Sequence, residues 1–149
     1  MNIVFSLNLP SDEVSVPVVR HISRDALLGL GVAGPCVDEI EVALSEACTN
    51  VLKHVQGTER SYEVQVEVNE RRCEIRVIDT GRGFDHDSQG REHADHAAEG
   101  GRGIFLMRAM VDDLEFTSAP ESGTVVRLTK TLALDEGSVL AKLVSSGGD

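Results

Sequence analysis

Two polar side chains lie four residues apart in the segment that follows Pro35. On a helix, Glu46 and Asn50 would lie close together at the border of the apolar stripe. An Asn oxygen is a neutral ligand that can complete the shell of a Mg²⁺ ion bridging phosphates. A Glu one turn earlier could accept a proton from a hydroxyl group or a water molecule that attacks a terminal phosphate. Taken alone, the pair is more simply a solvated Glu and a capping or surface Asn.

Asp79 ends a segment of alternating apolar residues. It has the same parity as Ile75 and Val77, so its carboxylate is predicted to point toward the core side of a sheet. Burial of a carboxylate without a donor is costly, and the amino group of a purine would supply that donor. Gly81 and Gly83 follow and would let the backbone approach a flat ligand closely. The alternative is that Asp79 only caps the turn after it.

A second glycine-rich turn opens a predicted helix. Gly101, Arg102 and Gly103 would offer free backbone N–H groups, the positive end of the helix dipole and a cation, which together favour a phosphate. A glycine pair at a helix start is also common where no ligand binds. Thr124 shares the parity of apolar residues on the last strand, so it is either a pocket hydroxyl or a satisfied core Thr.

Bulk composition limits the class of protein. The 149 residues suit one domain, predicted over residues 1–134 with a tail at 135–149, and the apolar fraction of 41% is ordinary for a soluble protein. No apolar run is long enough to cross a membrane, and the N-terminus lacks a signal peptide. We therefore expect a cytoplasmic protein. The net charge of −11 disfavours direct binding of nucleic acid or of anionic lipid.

Neither the cysteines nor the histidines predict a metal centre. The three cysteines contain no CxxC pair and are interpreted as reduced structural thiols. His86, His93 and His96 lie in a polar segment, Asp85–Glu99, that has no apolar period. A loop of functional length explains this segment better than a zinc site does.

Three helices are predicted from apolar spacing. The first starts after Ser11 and ends near Gly29, the second begins at Pro35, and the third opens at Gly101. The expected apolar faces are Val19, Ile22, Ala26 and Leu30 on the first helix, Ile40, Leu44, Ala47, Val51 and Val55 on the second, and Ile104, Met107 and Val111 on the third.

Alternating segments predict five strands. The first runs from Ile3 to Pro10, a pair occupies residues 62–79, and two more follow the third helix. The order of strand, two helices, hairpin, helix and hairpin favours an α+β fold. We expect a two-layer α/β sandwich with the helices on one face of a mostly antiparallel mixed sheet.

The ordered motifs resemble those of the GHKL ATP-binding (Bergerat-type) fold over roughly residues 5–132. The segment from Glu46 to Asn50 resembles its N box, and Asp79 to Phe84 resembles its first glycine box. Gly101–Gly103 resembles the second glycine box, and Gly123-Thr124 its closing Gly-Thr. Residues 85–99 then correspond to the ATP lid. Within this superfamily the string Leu44-Ser45-Glu46-Ala47 resembles the RsbW/SpoIIAB group of anti-sigma factor serine kinases.

The resemblance implies a role for each motif residue. Asn50 would hold Mg²⁺, Asp79 would bind the adenine amino group, and Glu46 would be the base that activates a serine hydroxyl. The residues implied to line ATP are Gly81, Gly83, Gly101, Arg102, Gly103 and Thr124. It also implies a homodimer that binds a sigma factor and phosphorylates a STAS-domain anti-anti-sigma partner.

Three other functions are compatible with parts of the pattern. A sensor histidine kinase would need a helical module carrying a phosphoacceptor His, and such kinases commonly lack a Glu four residues before the Asn. An ATPase of the gyrase or chaperone type would need a further domain that delivers a Lys to the γ-phosphate. An ATP-binding partner-switch protein without phosphotransfer would need the same pocket as the kinase.

Overall fold

The computed structural model describes residues 2–54, 61–79, 101–119 and 123–142. Among these residues are five strands and three long helices, in the order that the sequence predicts, and residues 139–142 add one helical turn. The elements are β1 (Ile3–Pro10), α1 (Ser15–Gly29), α2 (Gly34–His54), β2 (Ser61–Val68), β3 (Arg72–Asp79), α3 (Gly101–Met110), β4 (Asp113–Ala119) and β5 (Gly123–Thr131). None of the helices in these ranges is both long and apolar enough to cross a membrane.

The strands form one sheet in the order β1-β2-β3-β5-β4, and each of the four neighbouring pairs is antiparallel. Alternate residues of β2 and β3 are buried, as period-two burial on one face requires. The opposite face carries charged side chains, including an ion pair between Arg127 and Glu115 at 2.9 Å. The predicted α+β fold with helices on one face of the sheet is therefore confirmed.

Helix α2 lies at the centre of the helical layer, where it contacts α1, α3, β3 and β5. Its predicted stripe is buried from Ile40 to Val51. This stripe packs on the inner residues of the sheet, so the core is a single layer between α2 and the strands. The buried strand residues of this core are Leu9, Tyr62, Val64, Val66, Val68, Cys73, Ile75, Val77, Val126 and Leu128.

The apolar face predicted for α1 is partly wrong. Val19 is buried as expected, but Ile22 is 40% exposed, and the buried series continues through Ser23 and Leu27. Residues spaced by four define this face, and two of its positions are serines (Ser15 and Ser23). Serine is not counted as apolar in a hydropathy pattern, so the pattern predicted the neighbouring Ile22 on the buried face instead.

Helix α1 also begins later than the sequence suggests. Its first residue is Ser15 rather than a residue next to Ser11. The side chain of Asp12 accepts a hydrogen bond from the Val14 N–H at 3.0 Å, which stabilises a turn ahead of the helix.

The segment after β5 packs against the connection between α1 and α2. The Asp135 N–H donates to the Gly31 carbonyl at 2.7 Å, and the Leu140 N–H donates to the Leu30 carbonyl at 3.2 Å. Leu140 is buried and belongs to the core. Gly31 has a φ of +91°, and a Cβ on it would lie 2.2 Å from the Cβ of Ser138. No residue other than glycine fits this close approach without strain.

We expect Gly31→Ala to lower the free energy of unfolding by about 2–4 kcal/mol, because it combines a positive φ with a steric clash. Urea denaturation measures this change. Gly29→Ala is the matched control, since a Cβ there meets nothing within 4 Å. It should be neutral or raise stability by up to about 1 kcal/mol. Equal effects of the two substitutions would contradict the packing of the 132–142 segment on this turn.

Candidate functional site

At one end of the sheet, a row of polar side chains replaces the apolar rows of the core. Tyr62 pairs with Asp79 across β2 and β3, and Ile78 pairs with Val125 across β3 and β5. That register brings Thr124 to the level of Asp79. Asp79 is 1% exposed, so its predicted inward orientation is confirmed, and Thr124 is partly buried. A carboxylate and a hydroxyl thus face the helical layer at the same edge of the sheet.

The direction of α2 brings its C-terminal half to this edge. At the opposite edge, Lys130 Nζ lies 2.5 Å from Glu39 Oε2, and Cys36 Sγ lies 3.8 Å from the carbonyl oxygen of Thr131. Toward the Asp79 edge, the Cys48 thiol lies beside the Tyr62 hydroxyl, close enough for each to affect the pKa of the other. Glu46 and Asn50 precede and follow Cys48 by two residues, so they lie at the same level along the helix but on a different side of it.

Glu46 lies against the first turn of α3. A Cβ built on Gly103 would lie 2.9 Å from Glu46 Oε2 and 3.9 Å from its Cδ. The carboxylate therefore occupies the space that glycine leaves at this helix start. Free backbone N–H groups and the positive end of the dipole favour an anion there. The N box and the second glycine box, far apart in sequence, thus meet in space.

A buried hydrogen-bond network connects this edge to α1. The Tyr62 hydroxyl hydrogen-bonds to Ser15 Oγ, and Ser15 Oγ donates to the Asp12 carbonyl oxygen at 2.6 Å. The Cys48 thiol lies beside the same Tyr62 hydroxyl. We call Asp12, Ser15, Cys48 and Tyr62 the Tyr62 network. Motif spacing does not predict this network, although Tyr62 is the only tyrosine in the chain and strand parity places it on the buried face.

Burial keeps the thiol and the phenol of this network neutral. It raises the pKa of Cys48 to about 12, mainly because a thiolate would lose its hydration. The same cause raises the pKa of Tyr62 to about 12. Both groups therefore keep their protons near pH 7. A neutral thiol is a poor nucleophile, so Cys48 is structural, as the sequence predicted for the cysteines.

The remaining predicted site residues divide into two groups. Gly101 and Arg102 lie in the first turn of α3, beside Gly103. Gly81 and Gly83 lie outside the described residues, and so does the 85–99 segment with its three histidines. Among the described residues there is no cluster of three His, Cys, Asp or Glu side chains that could hold a metal ion.

The side chains that are described suit a nucleotide with its metal ion. Asp79 supplies a buried acceptor, which an exocyclic amino group would match. The start of α3 supplies backbone donors for phosphate oxygens. Asn50 supplies one neutral oxygen, which is compatible with Mg²⁺ because that ion takes most of its ligands from phosphates and water.

Comparison with known proteins gives one family. The profile of the histidine kinase-like ATPase domain matches residues 9–130. A serine-protein kinase RsbW from Bacillus velezensis is 31% identical over 136 residues, which cover 85% of this chain and 84% of that protein. RsbW from Bacillus licheniformis is 32% identical over 144 residues, which cover 88% and 89% of the two chains.

Solved structures show the same fold. The RsbU and RsbW domains of a Mycobacterium tuberculosis protein align with a TM-score of 0.66 at 19% identity, covering 87% of this chain and 32% of that longer chain. A chain of the SiaB–SiaC complex from Pseudomonas aeruginosa aligns with a TM-score of 0.55 at 15% identity, covering 85% of this chain and 88% of that chain.

The contact between Glu46 and Gly103 predicts a non-additive mutant cycle. Gly103→Ala should raise the free energy of unfolding by less than helix propensity alone would give, because the end of the Glu46 side chain must move away from the new Cβ. In a Glu46→Ala background the same substitution should raise stability by about 0.5–1 kcal/mol, since only helix propensity remains. Urea denaturation of the four proteins measures both steps.

Gly34→Ala is the control for this cycle. It lies at the start of α2, and a Cβ there meets nothing within 4 Å. Its effect should be the same with and without Glu46. If Gly103→Ala were also unaffected by the loss of Glu46, the carboxylate would not lie against this turn.

Proposed function

This chain belongs to the histidine kinase-like ATPase family, and we propose that it is an ATP-dependent protein serine kinase. The proposal is supported by its homology, over most of its length, to the RsbW serine-protein kinases. Its proposed substrate is a serine of an anti-anti-sigma protein with a STAS domain. Its second partner is a sigma factor, which it binds as an anti-sigma factor. The kinase is proposed to act in the cytoplasm as a homodimer.

The nucleotide is proposed to bind across the edge that carries the polar row. Asp79 would accept a hydrogen bond from the adenine amino group, and Thr124 would lie beside it on β5. The phosphates would bind at the start of α3. The glycine-box residues in this assignment are Gly81, Gly83, Gly101, Arg102 and Gly103. A Mg²⁺ ion held by Asn50 would neutralise phosphate charge.

The position of Glu46 at the start of α3 is the observation that carries the kinase proposal. A base must lie close to the hydroxyl that attacks the γ-phosphate. In the proposed reaction the serine oxygen bonds to the γ-phosphorus while the bond from that phosphorus to the ADP oxygen breaks. The serine proton moves to Glu46. A carboxylate beside the phosphate-binding turn is well placed to accept it.

Asp79→Asn should weaken ATP binding by about 10- to 100-fold, because a hydrogen bond to a charged acceptor contributes about 1.5–3 kcal/mol. Isothermal titration calorimetry measures the affinity, and circular dichroism checks that the variant is folded. Asp113→Asn, which changes an exposed carboxylate on β4, is the control and should bind ATP as the wild type does. Unchanged affinity in Asp79→Asn would refute the adenine contact.

Glu46→Gln should lower phosphotransfer by about 10²- to 10⁴-fold while ATP affinity changes little, because the variant loses the base but keeps the shape of the side chain. The assay incubates the protein with γ-labelled ATP, Mg²⁺ and STAS-domain proteins from the same genome. Label on a partner serine is the expected product in the wild type. Glu70→Gln, in the turn between β2 and β3, is the control and should keep full activity.

The same assay separates the kinase from a non-catalytic partner-switch protein. If the wild type binds ATP and labels none of an exhaustive set of partners, the protein only binds nucleotide and its target. Equal labelling by wild type and Glu46→Gln would leave the kinase but remove Glu46 as its base.

A further inference from the structure

We propose that Tyr62 is a positioning residue for adenine recognition, because the Tyr62 network holds its buried ring beside Asp79 and so fixes the orientation of that carboxylate. The inference rests on the proposed nucleotide site, and it adds a residue that lies in none of the four sequence motifs. Tyr62 would touch neither the phosphates nor the partner serine.

The first observation is the register of the two strands. Tyr62 and Asp79 are direct partners across the antiparallel pair of β2 and β3. Residues directly opposite one another on the same face have their Cβ atoms about 4.5–5.5 Å apart. Both side chains are buried, with 0% and 1% exposure. Tyr62 and Asp79 are therefore cross-strand neighbours on the inner face of the sheet.

The second observation is the direction of the hydrogen bonds. Ser15 has one hydroxyl proton, which it donates to the Asp12 carbonyl oxygen at 2.6 Å. Tyr62 must then be the donor in its own hydrogen bond to Ser15 Oγ. The Cys48 thiol of α2 lies beside the same hydroxyl, close enough to affect its pKa. The hydroxyl end of the ring is thus attached to the start of α1 through Ser15.

The consequence for Asp79 follows from side-chain freedom. A carboxylate at the end of a strand can rotate about two side-chain bonds unless its neighbours restrict it. Tyr62 is among the largest fully buried side chains of the described residues, and it is the cross-strand partner of Asp79 at this strand end. A site that is preorganised loses less entropy on binding and discriminates better between a base that donates and one that does not.

Tyr62→Phe tests the inference, because it removes the hydroxyl and keeps the ring. The measurement is the affinity for ATP divided by the affinity for purine riboside triphosphate, an analogue that lacks the 6-amino group. The ratio should fall by about 3- to 10-fold in Tyr62→Phe, since the loss of one hydrogen bond is of that order. Ser15→Ala should also lower this affinity ratio. The double variant should have the same ratio as Tyr62→Phe alone, because both substitutions remove the same hydrogen bond.

Ser23→Ala is the matched control. Ser23 is a buried serine on the same face of α1, and its hydroxyl has no hydrogen-bond partner among the described residues. Its removal should leave the ratio unchanged. A purely structural role for Tyr62 would lower the free energy of unfolding and reduce both affinities together, with no change in their ratio.

Two outcomes overturn the proposal in distinguishable ways. If the wild type prefers ATP over the deaminated analogue and Tyr62→Phe keeps that preference, Tyr62 does not position Asp79, and the nucleotide site stands. If the wild type shows no preference, the adenine contact of the proposed function fails, and the role of Tyr62 fails with it.

Discussion

The arrangement of the site depends on how α2 lies on the sheet. At one edge the helix is attached through Glu39 to Lys130, and toward the other Cys48 meets Tyr62. Between these contacts the buried stripe from Ile40 to Val51 allows no rotation of the helix without exposing apolar surface. The lengths of helix and strand between these contacts agree as well, since the twelve residue-to-residue steps from Cys36 to Cys48 span about 18 Å and the six steps from Lys130 to Thr124 span about 20 Å. This alignment brings Glu46 and Asn50 to the edge that carries Asp79.

The polar edge has an energetic consequence. The row of Val64, Val77 and Val126 is wholly buried, and the next row toward the edge contains Tyr62 and Asp79. Apolar residues in that row would stabilise the fold more, because burial of a carboxylate costs free energy that an apolar residue does not lose. Retention of polar groups at a sheet end, with the core intact behind them, is typical of a site that a ligand completes.

Local pattern was sufficient for most of the fold and insufficient for the contacts of the site. Period-two alternation placed the strands and turned Asp79 inward, since parity depends only on neighbouring residues. The same approach misassigned Ile22, because two serines occupy the buried face of α1 and hydropathy does not mark them. The approach of Glu46 to Gly103 and the network of Tyr62 join residues far apart in sequence. Their spacing along the chain contains no information on such contacts, which depend on how α1, α2 and α3 pack together.

The contrast between Glu46 and Cys48 bears on the chemistry available at this edge. The two residues are neighbours on α2 and face different surroundings. Cys48 is fully buried among core side chains, and its pKa of about 12 keeps it a neutral thiol that would not compete for a phosphoryl group. Glu46 is only partly buried and lies where a helix start favours negative charge. That carboxylate lies beside the turn at which the phosphates are proposed to bind. The packing of α2 thus buries the thiol in the core and leaves the carboxylate, two residues earlier and on a different side of the helix, at the proposed phosphate site.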